Sequence, residues 1–205
     1  MDMGVAENMV RAAELAGVTP FIRVTHNTPH LILRALDIGA LGVHVPEVSD
    51  AHEGKAVVAS VKYAPQGQRG LGGVRAAKWG LKDSLSEYAA AANRQTMVIV
   101  HIEDVKAVEN LDALLAVEGI DVYFLGPTDL SNSLGIPGQS KDPKVIGLVE
   151  DSIKQIVGAG KIAGCITADV EIARRYTELG ALYIASHAIS FMASGSRQFL
   201  EELRA

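Results

Sequence analysis

Two carboxylates stand where apolar runs give out. Glu103 ends the run TMVIVHIE (96–103), and Asp129 follows the next one, VYFLG (122–126), after the turn Gly126-Pro127-Thr128. Neighbouring strands of a sheet lie about 5 Å apart, so carboxylates at adjacent strand ends can converge on one ion. A pair of carboxylates beside a polar loop suits a hard, oxygen-seeking cation such as Mg2+ or Mn2+, with water or substrate completing its shell. A purely structural use of the same residues is also open: Glu103 capping the helix that follows, and Asp129 in an Asx turn with Ser131 or its neighbours.

His101 lies two residues before Glu103 and shares its strand face by period-two alternation. It is a candidate ligand, acid/base group or polar lining residue. Arg23 is a lone charge in PFIRVTHN, near a strand end, where a guanidinium can hold a carboxylate or a developing oxyanion, or can serve a structural ion pair. Gly126 and Pro127 shape a turn that frees the amides of Thr128 and Asp129, a small anion site suited to a carboxylate. Arginine, divalent ion and free amides together describe a site for a 2-oxo acid, whose keto and carboxylate oxygens chelate the metal while an enolate is stabilised at the next carbon. Arg69 and Arg75 read as solvated loop charges. His26, His30, His44, His52 and His187 show no zinc spacing and receive no role.

The elements that must position these residues alternate along the chain. Strands are expected at 20–24, 41–46, 96–103, 122–126, 161–167 and 181–186, with helical patterns at 29–39, 49–63, 104–119, 142–160 and 169–180. Several of these helices end in Gly just before the next strand. Strict β–α alternation means a parallel sheet with crossover helices, and residues 1–205 read as one domain. The one long irregular segment, 64–83, is glycine-rich in GQRGLGG, but it follows a helix, so the nucleotide-binding fingerprint of a doubly wound sheet fails on context. Polar residues gathered at strand C-terminal ends (Arg23, Glu103, Asp129, Thr167) favour a barrel.

Composition narrows the classes. The 205 residues carry a net charge of −5 and only 5% aromatics, which argues against a polyanion partner or a base-stacking platform. A single cysteine, Cys165 in the apolar IAGCIT, excludes an internal disulfide and reads as a buried, inert thiol. With no apolar stretch of about 18 residues and no signal peptide, no membrane partner is expected and a cytoplasmic location is.

The stretch VHIEDVKAVENLDALLAVEGIDVYFLGPTDLSNSLGIPGQ (100–139) resembles the signature of the HpcH/HpaI aldolase family, in which an I-E is followed by V-E-G-V-D and then by G-P-x-D-L-S. RALDIGALGVHVPEVSDAHEGKAVVASVKYAPQGQRGLGG (34–73) and GALYIAS (180–186) resemble further family segments, so the likeness spans essentially the whole chain. The resemblance implies a TIM (β/α)8-type barrel and a metal-dependent class II aldolase. Such an enzyme cleaves a 4-hydroxy-2-oxo acid to pyruvate, or a close 2-oxo acid, and an aldehyde. It implies Glu103 and Asp129 as ligands of Mg2+ or Mn2+, with Co2+ a third choice. It also implies Arg23 as the group that stabilises the enolate, amides of Thr128 and Asp129 on the carboxylate, and a homo-oligomer, a hexamer in the family.

Three departures accompany the likeness. His101 stands where the family has glutamine, Ser186-His187-Ala188 where it has G-x-D, and the first two strands with the D-x-E-H histidine are expected before residue 1, so that MDMGVAENMVRAAELAG starts directly in the barrel's second helix. Six strands and 205 residues compare with eight strands and about 250 residues in a closed barrel. Two other functions fit the same residues: a non-catalytic relative that binds a 2-oxo acid or assembles with other subunits, and a CoA-ester lyase resembling the citrate lyase beta subunit.

Overall fold

The computed structural model describes residues 2–204. Six strands form one parallel sheet in sequence order: β1 (Phe21–Arg23), β2 (Gly42–Val45), β3 (Met97–Ile102), β4 (Val122–Leu125), β5 (Ile162–Ile166) and β6 (Tyr183–Ala185). All six fall within two residues of the boundaries read from the sequence. The helices are α1 (Met3–Leu15), α2 (Pro29–Asp37), α3 (Ala51–Val61), α4 (Leu85–Gln95), α5 (Val105–Glu109), α6 (Leu111–Leu115), α7 (Pro127–Ser133), α8 (Pro143–Gly158), α9 (Val170–Glu178) and α10 (Ala188–Arg204).

Local chemistry sets the helix ends. Asp50, Asp104, Asp142 and Asp169 each accept backbone N–H groups at a helix start, and Pro29 and Pro143 open their helices. Gly39 and Gly180, at φ 107° and 99°, stop α2 and α9 in the left-handed region that L side chains avoid.

Period-two alternation sorts the strand residues onto two faces. Val98, Val100, Ile102, Tyr123, Leu125, Ala163 and Cys165 point outward and are buried against Ile32, Leu36, Val57, Leu111, Leu114, Val149, Ile153 and Ile156 from the helices. Ile99, Val122 and Phe124 point the other way and pack with Phe21, Met97, Ile166 and Tyr183. This inner face is concave. His44 on β2 and Tyr183 on β6 are four strand steps apart, roughly 19 Å on a flat sheet, yet their side chains hydrogen-bond at 3.0 Å. The sheet is therefore curled into a half-barrel.

The structure departs from the sequence reading in several places. The six strands of the expected barrel remnant are present, with β1 and β6 each pairing on one side only, and the departures lie in the elements around them. The helical pattern at 104–119 breaks at Asn110 into α5 and α6. The polar stretch after Gly126, expected as a loop, contains α7, because Pro127 fixes its first turn. Two further helices went unread. One is α4, whose start is a capping box between Ser84 and Glu87, and the other is α10. Arg69 and Arg75 are not solvated. Arg69 is buried, bonded to Asp37 at 3.0 Å and stacked 4.6 Å from the Tyr63 ring centroid, while Arg75 bonds Glu14 at 2.6 Å and the Ile38 carbonyl. Among the described residues no helix is long and apolar enough to cross a membrane.

Candidate active site

The half-barrel brings the ends of β3 and β4 side by side. Ile102 pairs with Leu125 in the ladder, and the Gly126 N–H donates to the Ile102 carbonyl at 3.2 Å. Glu103 and Gly126 are thus neighbours one step past the sheet, and Asp129 follows in the first turn of α7. Gly126 is essential to this closeness. A Cβ there would lie 2.9 Å from the Glu103 Cβ and 3.2 Å from its Oε2, so only glycine leaves the carboxylate its berth.

Glu103 is buried and held by both oxygens. Oε1 accepts the Glu47 backbone N–H at 3.0 Å, and Oε2 accepts from His101 Nδ1 at 3.0 Å. Burial pushes this carboxyl up, but the bond and charge of His101, the Glu47 amide and the Arg23 charge together hold it below the usual range. The helix-capping alternative fails, since the residue that caps α5 is Asp104. The Asx-turn alternative fails as well: Ser131 Oγ donates to the Thr128 carbonyl, and Asp129 is exposed, its carboxylate without a hydrogen bond among the described residues. Helix geometry leaves the N–H groups of Thr128 and Asp129 without an intrahelical partner, since the first such bond runs from Leu130 to Gly126.

Arg23 is exposed and forms no ion pair among the described residues, so the structural-bridge alternative fails too. It alternates with Phe21 onto the concave face and pairs in register with His44. His101 is buried and lies between Glu103 and His44.

Three residues joined to Glu103 by hydrogen bonds, directly or through His101, were not singled out from the sequence. His44 Nδ1 lies 3.1 Å from His101 Nε2, its Nε2 lies 3.0 Å from the Tyr183 hydroxyl, and Glu47 supplies the amide on Glu103 from a left-handed conformation at φ 58°. A signal existed for His44: one polar residue in the otherwise apolar strand GVHV, spaced to face inward. Tyr183 in ALYIAS gave none that separates it from core.

As a test of fit for a divalent ion, the donors are two hard carboxylates, one locked in a glycine-made berth and one exposed and without a partner among the described residues, which suits Mg2+ or Mn2+. Among the described residues, no group of three His, Cys, Asp or Glu side chains is arranged to hold a metal ion, so water or substrate must complete its shell. A cavity of about 490 Å³ opens beside Thr128 and is lined also by Thr167, Asp169, His187 and Ser190. A larger one, about 990 Å³, lies at the opposite ends of the strands beside Pro20, Leu41 and Thr96, away from both carboxylates. Cys165 is inert, its thiol pushed up to about 12 by burial.

Burial, then the charges of His101 and Arg23, push the His44 imidazole down from 6.5 to about 4, with Tyr183 its other polar neighbour. The unfolded chain therefore binds the additional proton. The contribution is whole above about pH 6.5 and is lost as the pH falls toward 4, at up to about 1.4 kcal/mol per pH unit. Thermal unfolding across this window is expected to show a steeper acid loss for the wild type than for His44→Asn, which removes the titrating ring.

A sequence profile described as HpcH/HpaI aldolase/citrate lyase matches residues 4–191. The hydroxypyruvate/pyruvate aldolase of Pseudomonas aeruginosa is 42% identical over 168 residues, covering 81% of this chain and 62% of that protein. The 2-keto-3-deoxy-L-rhamnonate aldolase of Salmonella gallinarum has the same identity and coverage. The crystal structure of the HpcH/HpaI aldolase from Desulfitobacterium hafniense superimposes with a TM-score of 0.91 at 30% identity, over 100% of this chain and 79% of that one. The chain thus spans about three fifths of the length of the curated relatives it matches.

Proposed function

Since this chain belongs to the HpcH/HpaI aldolase/citrate lyase family, we propose that it serves a metal-dependent carbon–carbon lyase reaction, cleaving a 4-hydroxy-2-oxo acid to a pyruvate-type 2-oxo acid and an aldehyde. The observation that carries this reading is the paired strand ends: Glu103 fixed in the space left by Gly126, with Asp129 in the first turn of α7. Two relatives named as aldolases of 2-oxo acids support the substrate class.

Glu103 and Asp129 would hold Mg2+ or Mn2+, with Co2+ a third choice. When bound, the ion supplies positive charge against the negative charge that develops as the carbon–carbon bond breaks. Arg23, exposed on the same concave face, adds a guanidinium to orient and stabilise that charge. The N–H groups of Thr128 and Asp129 receive the substrate carboxylate, and the cavity beside Thr128 receives the part that leaves as aldehyde. His101 lines the site and steadies Glu103. A homo-oligomer, a hexamer in this reading, is supported by α10, which exposes Ile189, Phe191, Met192, Phe199 and Leu203.

The test is exchange of the methyl protons of pyruvate with deuterated solvent, followed by NMR with and without Mn2+. Mn2+-dependent exchange is the expected result. Mn2+ binding without exchange would leave a binding protein and overturn the lyase reading; absence of both would overturn the metal reading as well.

A further inference from the structure

A line of polar groups crosses the concave face, from Tyr183 on β6 through His44 on β2 to His101 and Glu103 at the end of β3. The proposed lyase reaction leaves its first two members unused. The hydrogens along the line can be assigned one by one. A carboxylate only accepts, so the hydrogen in the 3.0 Å bond to Glu103 sits on His101 Nδ1. Above the ordinary histidine range that ring is uncharged, its Nε2 is an acceptor, and the hydrogen of the 3.1 Å bond belongs to His44 Nδ1. An uncharged His44 then has a bare Nε2, and the Tyr183 hydroxyl is the donor across 3.0 Å. Every donor points toward Glu103. Both rings are held as the Nδ1–H tautomer, the less populated form of a neutral histidine in water.

The surroundings are built to keep this line in place. Tyr183 stands over Gly164, where a Cβ would lie 3.2 Å from the Tyr183 Cβ and 2.9 Å from the Phe124 ring. Phe21 and Phe124 meet the Tyr183 ring edge-on at 6.4 and 5.8 Å, and Phe124 packs 5.1 Å from His44 and 5.0 Å from His101. Burial favours the uncharged form of His44.

We propose that His44 and Tyr183 are positioning residues of the site: acting through His101, they fix the direction in which the Glu103 carboxylate is held and so its readiness for a divalent ion. The part concerning the ion rests on the function proposed above; the part concerning the tautomers does not.

The experiment uses the full chain labelled with ¹⁵N-histidine. Long-range proton–nitrogen spectra are recorded without metal at about pH 8.5, above the ordinary histidine range. Mn2+ affinity is measured separately by electron paramagnetic resonance. In the wild type, Nδ1 of both His44 and His101 is expected to carry the proton. His44→Asn, whose amide nitrogen can replace Nδ1 as donor, should keep the His101 tautomer and the Mn2+ affinity. His44→Leu should release His101 into a tautomer mixture and weaken Mn2+ on the order of 10-fold, the lower end of the effect of a ligand's supporting partner. Tyr183→Phe removes one oxygen, so it carries the test should the leucine variant fail to fold; it should free His44 toward Nε2–H. A wild-type His44 protonated at Nε2 would overturn the proposal, as would unchanged histidine signals and Mn2+ affinity in both His44→Leu and Tyr183→Phe. If the wild type takes up no Mn2+ at all, the proposed function and the ion-directed part fail together, and the tautomer signals still decide the rest.

Discussion

Glu103→Gln is expected to weaken Mn2+ on the order of 100-fold or more, since loss of a mere supporting partner of a ligand already costs about 10–100-fold, and to remove Mn2+-dependent exchange of the pyruvate methyl protons, while the protein stays folded. The substitution keeps size and shape, so the close approach to Gly126 survives. It removes the charge, and with it half of the anionic donor set that a hard divalent ion requires. It also costs stability for a separate reason. Both carboxylate oxygens accept hydrogens, from the Glu47 amide and from His101 Nδ1. A glutamine side chain has one oxygen, so its NH2 must face one of those donors unless His101 turns or changes tautomer. Leaving a buried donor unmatched costs about 1–3 kcal/mol, which should appear as a modest fall in unfolding temperature. Metal titration of the folded variant separates the two effects. Retained Mn2+ affinity in a folded Glu103→Gln protein would remove Glu103 from the metal site.

How far such a site can be read from sequence depends on the range of the forces that build it. The strands were legible because apolar runs bounded by Gly and Asp are local signals, and Glu103 and Asp129 stood out as charges at the ends of such runs. Glu47 was illegible: its contribution to Glu103 is a backbone N–H, which every residue but proline carries, and no side-chain type announces the left-handed turn that aims it. His44 and Tyr183 are 139 residues apart, and their contact exists only because the sheet curls. Curvature is a property of all six strands together, and no window of sequence contains it. Arg69 was misread for a related reason. A charge in a glycine-rich loop is by default solvated, and only the folded loop lays it over Tyr63 beside Asp37. Of the unread helices, α4 carried its own signal, a serine followed three residues later by glutamate.

Gly126→Ala should damage the site from the side opposite the charge. The Gly126 backbone lies at φ −108° and ψ 83°, outside the left-handed region that L side chains avoid, so the main effect of alanine is steric. The added methyl would stand 2.9 Å from the Glu103 Cβ, and neither atom is the far end of a flexible side chain that can swing clear. The ends of β3 and β4 must separate, in a region where Ile102 and Leu125 are fully buried, and overpacking of this kind costs about 1–3 kcal/mol. Glu103 Oε2, which the same methyl would approach to 3.2 Å, should be pushed from its partner on His101. Mn2+ affinity is therefore expected to fall about 10-fold or more, as it does when a ligand loses its supporting bond. Gly147→Ala supplies the contrast. That glycine lies inside α8 with nothing within 4 Å of the added methyl, so alanine should stabilise the helix by about 0.5–1 kcal/mol and leave Mn2+ untouched. Urea unfolding and Mn2+ titration of the two variants decide the matter together. A Gly126→Ala protein that unfolds earlier yet binds Mn2+ as tightly as wild type would show that the berth serves packing alone and that Glu103 does not need it to hold the ion.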